Sequence, residues 1–364
     1  MKIRQIQANL LEVPTDPPRA SPAESRLGRK NTITTLAVQV TTDEDIEGIG
    51  FGYSLQGGGK AMKAIVEFDL GPLVLNENPL DPEGLFQKVY WRIQSIGRSG
   101  LVAQVYSALD LAFWDIRGKA AGKALCQLLG GERKPVEAYV SHTGWLWMTP
   151  GEIAEATAPY LEKKVSGLKV KVGKDLATDK ARLRELHKIL GPVWLAVDAN
   201  EKYQLETAGD LGRFLQNEIG AAWFEEPLTC EDPVGHAQLA NALSLPIAAG
   251  EMLFTLGEFQ HYFSLGALDI AQPDVTRLGG ITPFLKVVEL CLKHGIPVSP
   301  HLLPEISLHF ACAIPQVAPI EFMPWLKPLF KEYPDWVDGK LAPLPGAGLG
   351  LDFDMKAIQR FSVE

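Results

Sequence analysis

Cysteine is scarce in this chain: there are 4 in 364 residues, and Cys126, Cys230, Cys291 and Cys312 stand at no paired spacing. That excludes a disulfide framework or a thiolate zinc site as the organising feature, and reduced, partly buried thiols are expected. Basic clusters are missing as well. The net charge of −9 is spread along the chain, which argues against nucleic acid or anionic membrane as the main partner. No stretch approaches the roughly 18 apolar residues of a membrane span. The opening MKIRQIQANLLEV lacks the apolar core and small-residue cleavage site of a secretory leader. A cytoplasmic protein acting on a small molecule is the expectation, and an anionic substrate would need local positive charge from lysines or a metal ion.

What is present is a rhythm. Lys171, Asp198, Glu225, Glu251, Asp274, His301 and Glu321 follow one another at steps of 27, 27, 26, 23, 27 and 20 residues. One strand, one helix and two short loops need about that much chain. The pattern reads as a ring of βα units with one chemically capable side chain per turn. In a parallel barrel all strand C-termini open on one mouth, so these residues should converge there.

The strands of that ring are expected at VEAYVS (136–141), GLKVKV (167–172), VWLAVD (193–198), AAWFE (221–225), LPIAAG (245–250), LDIAQ (268–272), IPVS (296–299) and APIE (318–321), with helical patterns such as 150–164 and 282–294 between them. Residues 1–125 do not share the rhythm. Thr35 to Val40 alternates like a half-buried strand, DEDIEGIGFGYS (43–54) reads as a turn into a second strand, and 101–117 carries apolar residues at helical spacing. The expected organisation is an α+β capping domain (1–125), an α/β barrel of TIM type (126–329) and a Pro/Gly-rich C-terminal segment (330–364) that returns to the capping domain. Loops at 14–30 and 53–60 are candidates to cover the mouth. Gly59-Lys60 is not a phosphate loop, because Ala61 stands where Ser or Thr is required. Tyr53, Arg19 and Lys30 are read as ordinary surface residues sooner than as substrate contacts.

Asp198, Glu225 and Glu251 each end an expected strand. Three convergent carboxylates repel one another unless a cation neutralises them, and oxygen-only ligation suits Mg²⁺. Glu226 competes with Glu225, but adjacent strand residues face opposite sides, and the interval favours Glu225. Asn200 lies two residues beyond Asp198, either to bond a ligand or to cap the next helix. Lys169 and Lys171 flank Val170 and share a face. Two neighbouring ammonium groups disfavour each other's charge, which suits Lys171 as a base near neutral pH and Lys169 as the holder of a substrate carboxylate. His301 and Asp274 end neighbouring strands, where the carboxylate would orient the imidazole as a second proton carrier.

The chain resembles the enolase superfamily, and within it the mandelate racemase subgroup. The resemblance rests on SALDLAFWDIRGKAAGKALCQLLGG (107–131), LKVKVG (168–173), VDAN (197–200), FEEP (224–227), AGE (249–251), QPDVTRLGG (272–280) and SPHLLPEIS (299–307). It implies a modified (β/α)7β barrel under a capping domain, Mg²⁺ on Asp198, Glu225 and Glu251, a Lys171 base facing a His301–Asp274 dyad, Glu321 as the eighth-strand acid on the enediolate, and Ser141 as a substrate contact. The muconate lactonizing subgroup is set aside, because it carries a second lysine where this chain has Arg277. Proton abstraction α to a carboxylate is the implied chemistry, with Mg²⁺, Lys169 and a protonated Glu321 stabilising the dianion. Dehydration of an acid sugar to a 2-keto-3-deoxy acid is favoured, ahead of racemisation or epimerisation of a 2-hydroxy acid and cycloisomerisation of a sugar lactone. A non-catalytic metal-binding barrel is the reading from a different class, and a homo-oligomer is expected.

Overall fold

The computed structural model describes residues 1–26, 30–55 and 57–363. Leu27, Gly28, Arg29 and Gln56, within the two stretches read as loops over the mouth, lie outside the described residues.

The N-terminal part is an antiparallel sheet of β1 (Ile3–Pro14), β2 (Thr32–Thr42) and β3 (Glu47–Ser54) in that order. The sequence pattern concealed β1, whose buried and exposed residues do not alternate. A helix, Leu101–Ala121, lies across the sheet. It can do so because β3 turns only glycines toward it. A Cβ on Gly48 would sit 2.3 Å from Ala112 O, one on Gly50 2.0 Å from Ala108 O, and one on Gly52 2.1 Å from Gln104 O. Glycines two apart on a strand meet carbonyls four apart on a helix, which is the side-chain repeat of each element. The other face of β3 carries Ile49, Phe51 and Tyr53, which join the apolar core of the barrel.

That barrel consists of β4 (Val136–Val140), β5 (Gly167–Lys171), β6 (Trp194–Asp198), β7 (Trp223–Glu225), β8 (Ile247–Ala249), β9 (Ile270–Ala271) and β10 (Ile320–Phe322), all parallel. The stave expected at 296–299 is reduced to bridges from Val298 to Ala271 and Val317. β10 pairs with β4 and closes the ring. A helix returns along the barrel after every stave but the last, which is followed by the short turn Lys327–Leu329 and then the C-terminal tail with its helix Met355–Phe361. The architecture is therefore a (β/α)7β barrel under an α+β cap.

Inside the ring the lower layer is aromatic. Tyr139, Trp194 and Trp223 pack at ring separations of 5.2 to 5.6 Å. Gly167 opens β5 because a Cβ there would lie 2.0 Å from the Trp194 ring. This plug seals the floor on which the charged layer rests. Cap and barrel are joined by Asp110, which accepts from Thr282 N at 2.9 Å and Thr282 Oγ1 at 2.6 Å at the start of helix Ile281–His294. The tail first adds a hairpin, β11 (Asp335–Val337) and β12 (Lys340–Ala342), to β4, and then Val363 N reaches Leu10 O at 2.9 Å on β1.

Candidate functional site

Strand register puts Lys171 beside Asp198 and Asp198 beside Glu225. Inward-facing positions on successive staves are thus stacked into one charged layer above the aromatic plug. Lys169 is 1% exposed. Its Nζ lies 2.5 Å from Glu225 Oε1, 2.9 Å from Glu321 Oε1 and 3.6 Å from Asp198 Oδ2. Lys171 pairs with Asp198 Oδ2. Asp198 Oδ1 accepts the backbone N–H of Asn200 at 2.8 Å, so Asn200 meets the site through its backbone. Ser141 follows β4, buried, and its amide donates to Phe322 O at 3.2 Å.

Across the mouth, His301 Nδ1 meets Asp274 Oδ2 at 2.6 Å. The other oxygen, Oδ1, accepts from Thr276 N at 2.7 Å, Thr276 Oγ1 at 2.6 Å and Arg277 N at 3.0 Å. Burial alone would raise the Asp274 carboxyl, but the imidazole and these donors hold it well below the usual carboxylate range. His301 Nε2 faces Glu251 Oε2 at 3.4 Å, and Arg277 pins Glu251 through its carbonyl at 2.6 Å and Oε1 at 3.2 Å. Glu321 Oε2 accepts Leu302 N at 2.9 Å.

Two resting charges are set by neighbours that the spacing along a strand does not reveal. Lys171 was expected to be depressed by its lysine neighbour. Burial, the largest single influence, and Lys169 both lower it, but the attractions of Asp198, Glu251 and Glu225 together outweigh them, and the ammonium is favoured. Glu321 was expected to be protonated. Burial raises it, yet Lys169, His301 and Lys171 together draw it down to about 2, so the carboxylate is the resting form.

Two residues read as surface are not. Tyr53 is 1% exposed, and its hydroxyl donates to Asp274 Oδ2 at 2.5 Å. Arg19 is buried, 5.9 Å above the ring of Trp325, and donates to Leu55 O at 3.1 Å. Lys30 is exposed and paired with Glu12 at 3.0 Å. Reading the sequence missed Tyr53, Arg277, Trp223 and Gln272 as parts of the site. The signal for Trp223 was available: it stands two residues before Glu225 on one strand and therefore faces the same way.

The donor set fits a hard divalent cation such as Mg²⁺. Ligand oxygens of the buried Asp198, Glu225 and Glu251 lie within 4.8 Å of one another. Glu251 Oε2 is buried and accepts no hydrogen bond among the described residues. Asp198, Glu225, Glu251, Asp274 and Glu321 set five carboxylates against the three cations Lys169, Lys171 and Arg277. If all five were ionised and His301 neutral, two negative charges would be left over. In the free site, burial and then Asp198 push Glu225 up to about 8, a strain that a dication would relieve.

The chain matches two family models: residues 7–130 match the mandelate racemase / muconate lactonizing enzyme N-terminal domain, and residues 152–357 match the enolase C-terminal domain-like family. It is 36% identical over 361 residues to the L-talarate/galactarate dehydratase of Salmonella typhimurium, covering 98% of this chain and 90% of that protein. It is 29% identical to the 3,6-anhydro-alpha-L-galactonate cycloisomerase of Streptomyces coelicolor, covering 97% and 98%. The structure of the Salmonella dehydratase liganded with Mg and L-lyxarohydroxamate superposes with a TM-score of 0.93 at 34% identity, over 100% of this chain and 93% of the other.

Proposed function

The chain belongs to the mandelate racemase / muconate lactonizing enzyme family of the enolase superfamily, and from that premise we propose that it dehydrates an acid sugar to a 2-keto-3-deoxy acid. The observation that carries this reading is the opposition of two proton carriers, Lys171 on β5 and His301 beyond β9, around a layer in which carboxylates outnumber cations.

Mg²⁺ held by Asp198, Glu225 and Glu251 would neutralise charge as it develops on the substrate carboxylate. Lys171, as the neutral amine, takes the proton α to that carboxylate. To do so it must give up Asp198, the carboxylate that the cation also needs, so the two requirements coincide. Lys169 holds a substrate carboxylate oxygen, and drawing its charge away from Glu321 lets that acid accept a proton and hydrogen-bond the enediolate. His301, as the imidazolium steadied by Asp274, protonates the β-hydroxyl. The enediolate electrons form the C=C bond as water leaves, and the resulting enol tautomerises to the keto acid. Ser141 and Asn200 are assigned to substrate contact.

The same opposed pair would also support epimerisation by returning a proton to the other face, and the products separate the two outcomes. We further assign residues 1–125 to the cap, 126–329 to the barrel and 330–364 to a segment bound to both, and we expect self-association and a cytoplasmic setting. No helix among the described residues is long and apolar enough to cross a membrane.

The test is a panel of acid sugars with Mg²⁺, scored for keto-acid formation and for solvent deuterium at the α-carbon. Lys171→Ala and His301→Asn should stay folded and lose about 10²–10⁴-fold in turnover. A panel of sugar mono- and diacids showing neither exchange nor keto acid would sink the proposal, as would either variant keeping full activity.

A further inference from the structure

The carboxylate of Glu225 is held from below. Trp223 Nε1 donates to its Oε2 at 3.1 Å, and Gln272 Nε2 donates to the same oxygen at 2.7 Å. A carboxylate only accepts, so the amide must turn its NH₂ toward it. Both donors are deeply buried, and Trp223 is wedged in the aromatic plug between Tyr139 and Trp194. The other oxygen, Oε1, faces the open layer, where Lys169 meets it at 2.5 Å.

The two oxygens therefore have different environments. Oε2 is tied back by two neutral donors that remove none of the negative charge, while Oε1 is presented. Asp198 and Glu251 share the pattern, each with one oxygen tied by a protein donor, Asn200 N and Arg277 respectively. A carboxylate fixed in this way can offer a cation one oxygen and cannot rotate to offer two.

We propose that Trp223 and Gln272 are positioning residues that restrict Glu225 to one-oxygen ligation and thereby favour Mg²⁺ over Ca²⁺. Mg²⁺ is small and octahedral, and a single oxygen from each acid suits it. Ca²⁺ takes more ligands and readily uses both oxygens of a carboxylate. Loosening Glu225 removes the preorganisation that Mg²⁺ needs and opens the two-oxygen geometry that Ca²⁺ tolerates. The inference rests on reading Asp198, Glu225 and Glu251 as the cation ligands.

The experiment is calorimetric titration of the metal-stripped full chain with MgCl₂ and separately with CaCl₂, without substrate. Trp223→Phe keeps the aromatic plug and loses the N–H, while Gln272→Met keeps the side-chain length and loses the amide. Each should weaken Mg²⁺ by about tenfold or more and Ca²⁺ far less, so that the Mg²⁺/Ca²⁺ preference falls by a similar factor. If Trp223→Phe does not fold, Gln272→Met is judged by the same ratio. Equal losses for both ions, or an unchanged Mg²⁺ affinity, would overturn the proposal. Glu225→Gln separates the two levels. If it binds Mg²⁺ as well as the wild type, the ligand reading fails; if it alone loses Mg²⁺, only the clamp fails.

Discussion

The hydroxyl of Tyr53 donates to Asp274 Oδ2 at 2.5 Å, the same oxygen that meets His301 Nδ1 at 2.6 Å. A residue of the capping sheet thus touches the acid that orients a proton carrier of the barrel. Tyr53→Phe removes one of five donors from Asp274 and leaves the other four. Hydrogen bonds to charged groups contribute about 1.5–3 kcal/mol, so kcat for water loss should fall roughly tenfold or more. Exchange of the α-proton, assigned to Lys171, should change much less. An equal drop in both rates would reduce Tyr53 to a packing residue.

Cation binding should stabilise the fold. The charged layer sets five carboxylates against three cations, and a ligand that binds only the folded state adds about 2.7 kcal/mol at a hundredfold excess over its Kd. Thermal unfolding of the metal-stripped protein should therefore move upward with added Mg²⁺. In Asp198→Asn the shift should largely vanish. A wild-type midpoint indifferent to Mg²⁺ would contradict the charge count.

Glu305, in the helix Pro304–Ala313 just past His301, predicts a pH dependence. Burial pushes its carboxyl up to about 7, against the opposing hydrogen bond from Tyr333 at 2.7 Å. A carboxyl raised on folding contributes stability that is fully present below its unfolded value and is lost as pH rises through the folded one. The loss runs at up to about 1.4 kcal/mol per pH unit. Glu305→Gln is neutral and can still accept from Tyr333. Urea unfolding should show the wild type losing stability relative to the variant as pH rises from about 4.3 to about 7, with the gap levelling off above that, starting from equality at low pH if the amide packs equally and from a wild-type advantage if it packs less well. In either case the difference between the two must slope with pH in the wild type's favour on acidification, and a flat difference between pH 5 and 8 would refute the raised carboxyl.

Gly50→Ala tests the seat of the helix on β3. The new Cβ would lie 2.0 Å from Ala108 O and 2.8 Å from Ala112 N, both of them backbone atoms that cannot swing aside. Forcing extra volume into such a contact costs about 1–3 kcal/mol. A denaturation midpoint equal to wild type would mean that the helix floats freely over the sheet.

Much of this was legible before folding. The 23- to 27-residue steps place Lys171, Asp198, Glu225, Glu251, Asp274 and His301 on successive staves, because a βα unit has a nearly constant chain length and parallel staves share one mouth. Alternation along a strand put Lys169 with Lys171 and admitted only one of Glu225 and Glu226 to the cavity, and the repeat interval favoured Glu225. The strand β1 was not legible, since its buried and exposed residues do not alternate.

The sequence by itself determined which side chains face the barrel interior and in what order, because strand period and repeat length are local properties of the chain. Tertiary structure alone decided how those charges divide. Against the effect of burial, Lys171 is held charged by Asp198, Glu251 and Glu225 together, and Glu321 is held ionised by Lys169, His301 and Lys171 together, since a buried group answers to the charges packed around it in space. It also decided that Tyr53, from a different sheet, would bond to Asp274 221 residues away. No spacing along the chain encodes that contact; it exists only because the glycine face of β3 lets the helix close on one side and turns the phenol toward the barrel on the other.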